Sequence, residues 1–283
     1  LGITQFACAT IPMFLPENID LAHSEEYSLS IRLAPDGFSF CIYSDTDPSV
    51  FHHQGTSLGN RLSPNDQIKK VIFDLGFFSQ PFRKTSVTVV SPRYTLVPDA
   101  YYDRKRVRDL FQFNFHQPDG SVLVDSVQEG ACHILFELNG ELHAFLARNL
   151  WNPCFRHHTG SLLRLFHAYD KDPERKSCFA DFHDQSVTLI CFSGERLLAV
   201  NTFPAVNVHD TTFFIVSLWD KLQLDQSADS FFLSGDVTSH NASVEILRRL
   251  IRKVERVALH PRVMVEKELL QCLPTDTLAT LCG

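Results

Sequence analysis

The residues best placed by type and spacing to do chemistry sit at two turns. Ala34-Pro35-Asp36-Gly37 and His183-Asp184-Gln185 each join two segments of alternating polarity, and a turn of this kind can gather backbone N–H groups around a phosphate. Neither is well equipped for it, because a backbone that approaches phosphate closely favours glycine. Asp181, just before the second turn, has the hard oxygen donors that magnesium prefers. An Asp near a strand end is as often a turn former or a salt-bridge partner, and the second reading is preferred. His52-His53 and His157-His158 are the evident candidates for a metal. Adjacent residues on a strand point to opposite faces, however, and neither pair has a cysteine or carboxylate at ligand spacing, so no metal site is expected. The runs Arg104-Lys105-Arg106 and Arg248 to Arg256 read as solvated helix faces. No Gly-x-Ser-x-Gly or Gly-x-x-x-x-Gly-Lys motif occurs and no convincing nucleophile is present, so no catalytic residue is assigned.

Bulk properties narrow the field. The chain has 283 residues with 44% hydrophobic and 21% charged residues, ordinary for a globular protein and long enough for two domains or one bilobal unit. The net charge of -7 argues against nucleic acid as a partner, since affinity for a phosphate backbone rests on counterion release by Lys and Arg. No run approaches the ~20 apolar residues of a membrane-spanning helix, and Leu1 to Pro16 has no basic segment ahead of its apolar one, so neither membrane insertion nor secretion is expected. The eight cysteines form no Cys-x-x-Cys pair and mostly have apolar neighbours, as in Phe40-Cys41-Ile42; they read as reduced core thiols of a cytoplasmic protein.

One pattern of elements, strand, turn, strand, short strand, amphipathic helix, strand, occurs at Tyr27 to Ser91 and again, roughly 150 residues later, at Cys178 to Asp236. In the first copy Leu29, Ile31 and Leu33 share one strand face, and Phe38, Phe40 and Ile42 resume the alternation after the turn. Ser63-Pro64 opens a helix carrying Ile68, Val71, Ile72 and Leu75, and Val87 to Val90 is a short apolar strand. A helix follows from about Tyr101 to Phe111. Asn139-Gly140 signals a hairpin between 131–138 and 141–147, and Thr159 to Tyr169 is helical. Asp170 to Lys176, polar and broken by Pro173, marks the boundary. In the second copy Phe179 to His183, Ser186 to Phe192 and Leu197 to Phe203 form a meander. Asp210 is placed to cap a helix so apolar around Phe213 to Leu222 that it should be buried on most sides. Phe231 to Leu233 is a strand ending at Ser234-Gly235-Asp236. A helix from Asn241 carries Val244, Leu247, Leu250, Ile251 and Val254 on one stripe, and a tail punctuated by Pro261 and Pro274 has no assigned form.

This doubled organisation resembles the actin-like ATPase fold, a duplicated ribonuclease-H-like unit of mixed α/β sheets with two lobes around a cleft, and among its members the pilus-assembly and secretion-platform proteins. Ala180-Asp181-Phe182-His183 with Ser186 to Ile190 is similar to the strand of an Asp-x-Gly phosphate loop, and Phe232-Leu233-Ser234-Gly235 to the strand-Gly adenosine loop. Tyr27 to Leu33, Pro35 to Phe40 and Ser91 to Pro98 resemble the uncharacterised bacterial family called domain of unknown function 3822, over nearly the whole chain. The resemblance implies an N-terminal extension over 1–24, a first lobe over 25–176 with a hairpin insertion at 131–148, and a second lobe over 177–283 with its tail. It also implies a nucleotide and magnesium site at Asp181, Ser234 and Gly235. Against that site, Arg32-Leu33-Ala34 stands at the first-lobe Asp-x-Gly position, His183 at the second-lobe glycine, and Asp236 where a second glycine is common. The expected protein is therefore a pseudoenzyme, a cytoplasmic scaffold or protein-binding module for an unidentified partner protein, with no cofactor. The alternative is a kinase or ATPase that binds ATP and holds Mg2+ at Asp181.

Overall fold

The computed structural model describes residues 15, 16, 18–35, 37–58, 63–169, 172, 174–183 and 185–282. The turn residues Asp36 and Asp184, residues 1–14 and 17 of the expected extension, and Asp170, Lys171 and Pro173 of the expected boundary lie outside them. The chain divides into two compact units. The first takes the described residues up to 126 with 133–158 and 262–267, and the second takes 127–132, 159–261 and 268–282.

The first unit runs β1 (Ser28–Ala34), β2 (Gly37–Tyr43), β3 (Phe51–Ser57), α1 (Pro64–Leu75), β4 (Lys84–Val89), β5 (Tyr94–Pro98), α2 (Val107–Gln112), β6 (Ser121–Val127), β7 (Cys132–Leu138), α3 (Gly140–Asn149) and β8 (Pro153–His157). Its main sheet has the order β3-β2-β1-β4-β8, antiparallel from β3 to β1 and parallel from β1 to β8. The alternation read from the sequence is what builds it. Leu29, Ile31 and Leu33 turn one way and pack with Phe38, Phe40, Ile42, Val87 and Val89 against Ile68 and Ile72 of α1 and Leu142 and Leu146 of α3. Each such side chain contributes roughly 1.5–3 kcal/mol on burial. Ser63 caps α1 by accepting from the Asp66 N–H, and Gly76 closes it in the left-handed conformation.

After α4 (His158–Tyr169) the second unit repeats the plan with β9 (Lys176–His183), β10 (Ser186–Ser193), β11 (Arg196–Pro204), α5 (Val208–Lys221), β12 (Ser230–Gly235), α6 (Asn241–Leu250), β13 (Lys253–Arg256), α7 (Lys267–Cys272) and α8 (Thr275–Cys282). Sheet order β11-β10-β9-β12-β13 matches the first position by position, with the same antiparallel and parallel pairings. One face, carrying Cys178, Ala180, Phe182, Val187 and Leu189, packs on α5 and α6 through Ile215, Trp219, Val244 and Leu247. On the other face Phe179 stacks on Phe166 of α4 at 4.5 Å and Tyr169 meets Phe232 at 5.4 Å. These contacts group residues 159–169 with the second unit, ahead of the polar segment read as the boundary.

Several elements differ from their sequence readings. The hairpin expected at 131–148 is a strand followed by a helix: β7 pairs with β5 and β6, and Asn139 caps α3, its Oδ1 accepting from Leu142 N–H at 3.0 Å. Asn serves a tight hairpin and a helix start equally well, and the spacing of Leu142 and Leu146, both buried, decides for the helix. The helix expected over 101–111 is two short 3-10 turns and then α2. Helix α5 is capped by Asn207 rather than Asp210, which sits at the third helical position and accepts from Asn207 Nδ2 at 2.6 Å. Its expected burial is incomplete, since Phe213 is 65% exposed. Helix α6 stops at Leu250, and Val254 belongs to β13, paired in parallel with Phe231.

Candidate functional site

Asp181 is the centre of the best-defined polar cluster on the second unit. It lies in β9 with no accessible surface, opposite Thr188 of β10 and Ser234 of β12. Its Oδ1 accepts from Ser234 Oγ at 2.7 Å, its Oδ2 lies 2.7 Å from His183 Nε2, and the Thr275 side chain at the start of α8 is a further hydrogen-bond partner. The His183 contact is Coulombic before it is directional, for the N–H···O alignment is poor despite the short distance. Burial alone would raise the carboxyl pKa. The His183 charge at close contact, with hydrogen bonds from Ser234 and Thr275, outweighs it and holds Asp181 below its ordinary value. His183 is in turn anchored through its carbonyl, which lies 3.0 Å from His240 Nε2, while the His240 ring stacks on Phe182 at 5.0 Å.

The sequence singled out Asp181, Ser234 and Gly235, and the structure brings all three to one corner. Gly235 is glycine for a reason of packing: its φ is +72°, and a Cβ there would lie 2.1 Å from the Phe182 carbonyl oxygen. That same oxygen accepts from Asp236 N–H at 2.9 Å. Asp236 then holds the turn into α6 through Ser239 N–H at 3.1 Å. Thr275 was not legible as a participant. The signal available was Pro274, a helix-start residue whose carbonyl accepts from Thr277 and Leu278 N–H.

The first unit has the same corner with the opposite charge. Counting back from the last paired residues of each turn, Ala34 with Gly37 and His183 with Ser186, Arg32 occupies in β1 the register of Asp181 in β9. Its neighbours are Ser39 and Thr88, as those of Asp181 are Thr188 and Ser234. The Arg32 charge is felt across the sheet, because burial first, then the charges of His52 and Arg32, bring the His53 pKa down to about 4.

The remaining candidates resolve individually. His52 and His53 alternate along β3, as strand geometry requires. His157 and His158 do not: they straddle the β8–α4 junction with ring centroids 4.3 Å apart. His157 is fully buried, and burial, then the His158 charge, holds its pKa well below the ordinary value; Nε2–H donates to the Ser91 carbonyl at 3.0 Å. Among the described residues no group of three or more His, Cys, Asp or Glu is placed to hold a metal ion. The Arg248 to Arg256 run is no single helix face. Arg248 pairs with Glu245 on α6 at 3.1 Å, while Lys253 on β13 donates to the Ala228 carbonyl at 2.7 Å. Cys41, Cys132, Cys178 and Cys191 are buried thiols, Cys154 and Cys272 are exposed, and Cys8 lies outside the described residues. Among the described residues no helix is long and apolar enough to cross a membrane.

Two units with one strand order, each a meander followed by two parallel strands, define an actin-like ATPase fold. A protein of that fold and unknown function from Bacteroides thetaiotaomicron VPI-5482 matches with a TM-score of 0.81 and 22% identity, over 94% of this chain and 99% of that one. The chain belongs to the family described as protein of unknown function DUF3822, whose model matches residues 16–254. The PilM–PilN type IV pilus biogenesis complex matches with a TM-score of 0.54 and 16% identity over 90% of this chain and 96% of that chain. None of the curated proteins matches.

The residues at these corners do not fit the magnesium–nucleotide site that the fold name brings to mind. Magnesium binds carboxylates that can still face its water shell, whereas Asp181 is wholly buried and shared among His183, Ser234 and Thr275. The glycine that would let phosphate approach is His183, and the equivalent acid of the first unit is Arg32.

Proposed function

We propose that this protein is a non-catalytic member of the actin-like superfamily, a cytoplasmic scaffold or protein-binding module that works without ATP or magnesium. The observation that carries the proposal is the enclosure of Asp181: a buried carboxylate whose partners come from its own unit has the chemistry of a structural anion. A fold of this kind hosts many roles, and the structural likeness to the PilM–PilN complex supports a reading in which the partner is another protein. The competing reading, a kinase or ATPase with Asp181 on magnesium and Ser234-Gly235 at the nucleotide, requires the Asp181 cluster to open. Calorimetric titration of the protein with ATP and MgCl2 separates the two. The proposal expects no binding heat beyond dilution, and micromolar binding abolished by Asp181→Ala would overturn it.

A further inference from the structure

The first unit carries a depression of about 190 Å3 at the starts of the neighbouring strands β4 and β8. Its floor is Phe82, 3% exposed and part of the core. Around it stand the exposed Arg83 and Lys84 and the indole of Trp151, 58% exposed. No carboxylate lines it, so two cations adjoin an open aromatic ring in a chain of net charge -7. Thr85, 2% exposed, also lines it, and Asn152 in the same lining holds φ at +44°, in the left-handed region that asparagine adopts more readily than most residues.

We propose that this depression docks an acidic segment of a partner protein. In an extended peptide, an Asp or Glu side chain would set its carboxylate between Arg83 and Lys84, and a neighbouring aromatic or aliphatic side chain would lie on Trp151. This rests on the protein-binding reading above and names the chemistry of the partner. Charge complementarity selects the carboxylate, and the Arg fork suits its planar geometry. Exposed Trp beside Arg is the composition that dominates binding energy at protein interfaces. The size of the depression selects a side chain: at about 190 Å3 it falls below the roughly 300–1,000 Å3 of sites that enclose whole small molecules. Two cations in an acidic chain are too few for the multiple phosphate contacts of a nucleic-acid backbone.

Tryptophan fluorescence of the whole protein tests the proposal, since the only other indole, Trp219, is 4% exposed and its emission should stay constant. The probes are an end-blocked peptide Asp-Glu-Phe-Asp-Glu, its amide counterpart Asn-Gln-Phe-Asn-Gln, and a single-stranded oligothymidylate. The acidic peptide is expected to give a saturable change that weakens as salt is added, the amide peptide none. The Arg83→Ala/Lys84→Ala double variant should bind about tenfold or more weakly, and so should Trp151→Ala when followed by calorimetry. All three positions are exposed, so unchanged circular dichroism should accompany the loss. A titration flat to millimolar peptide, equal binding of both peptides, or tighter binding of the oligothymidylate would overturn the site. The ATP titration is independent of it: bound nucleotide would remove the non-catalytic reading and leave a positive peptide result standing, while a flat peptide titration would remove this site alone.

Discussion

Asp181→Ala is expected to lower folding stability by roughly 3–5 kcal/mol, the range for removing one partner of a buried ion pair. The substitution strands His183, the Ser234 hydroxyl and Thr275 around a hole where their acceptor was. The sign of the effect matters as much as its size. A carboxylate kept for a ligand is commonly a burden on the fold, and its removal is neutral or stabilising. The pH dependence follows from the depressed carboxyl. A group whose folded pKa lies below its unfolded value stabilises fully above the unfolded value and loses that contribution as pH falls through the folded one. Urea unfolding of the wild type and the variant should therefore give a gap that closes as the pH falls below the ordinary carboxyl value of 3.8.

Gly235→Ala is expected to cost about 3 kcal/mol or more, combining a left-handed backbone with a direct clash. The added methyl would press on the Phe182 carbonyl, 2.1 Å from the ideal Cβ position, and that backbone is fixed by pairing with β12 and by the Asp236 N–H. Gly76→Ala supplies the control. Gly76 also has positive φ, +64°, yet nothing lies within 4 Å of its Cβ position, so it should lose only about 1 kcal/mol. Thermal melts of the two variants separate the conformational penalty from the clash, and equal losses would show that close packing at Phe182 contributes nothing.

The doubled framework was legible because its signals are local and redundant. Alternation at Leu29, Ile31 and Leu33, the Ser63-Pro64 helix start and the meander from Phe179 to Phe203 each constrain one element, and the two copies agree with one another. Where one signal served two structures, reading it locally failed. Asn139-Gly140 suits a tight turn and a helix cap alike, and only the burial of Leu142 and Leu146 tells them apart. Val254 fits the apolar stripe of α6 but is drawn into β13 by pairing with Phe231, a contact 23 residues away. At the candidate site the sequence identified Asp181, Ser234 and Gly235 and recognised His183 as a departure. It read that histidine as an obstacle to phosphate and missed its pairing with Asp181. Strand register sets the distance between those side chains, and Thr275 reaches them from α8, some 90 residues further on, so no local pattern could announce it.

The enclosure of Asp181 can be observed at the residue itself. With the aspartate carboxyl carbons labelled by 13C, the Asp181 resonance is followed by NMR while MnCl2 and ATP are added, the paramagnetic ion standing in for magnesium. The account predicts that this resonance keeps its position and width while exposed aspartates broaden. Selective broadening of the Asp181 signal at low Mn2+, enhanced by ATP, would place a metal on that carboxylate and contradict the account.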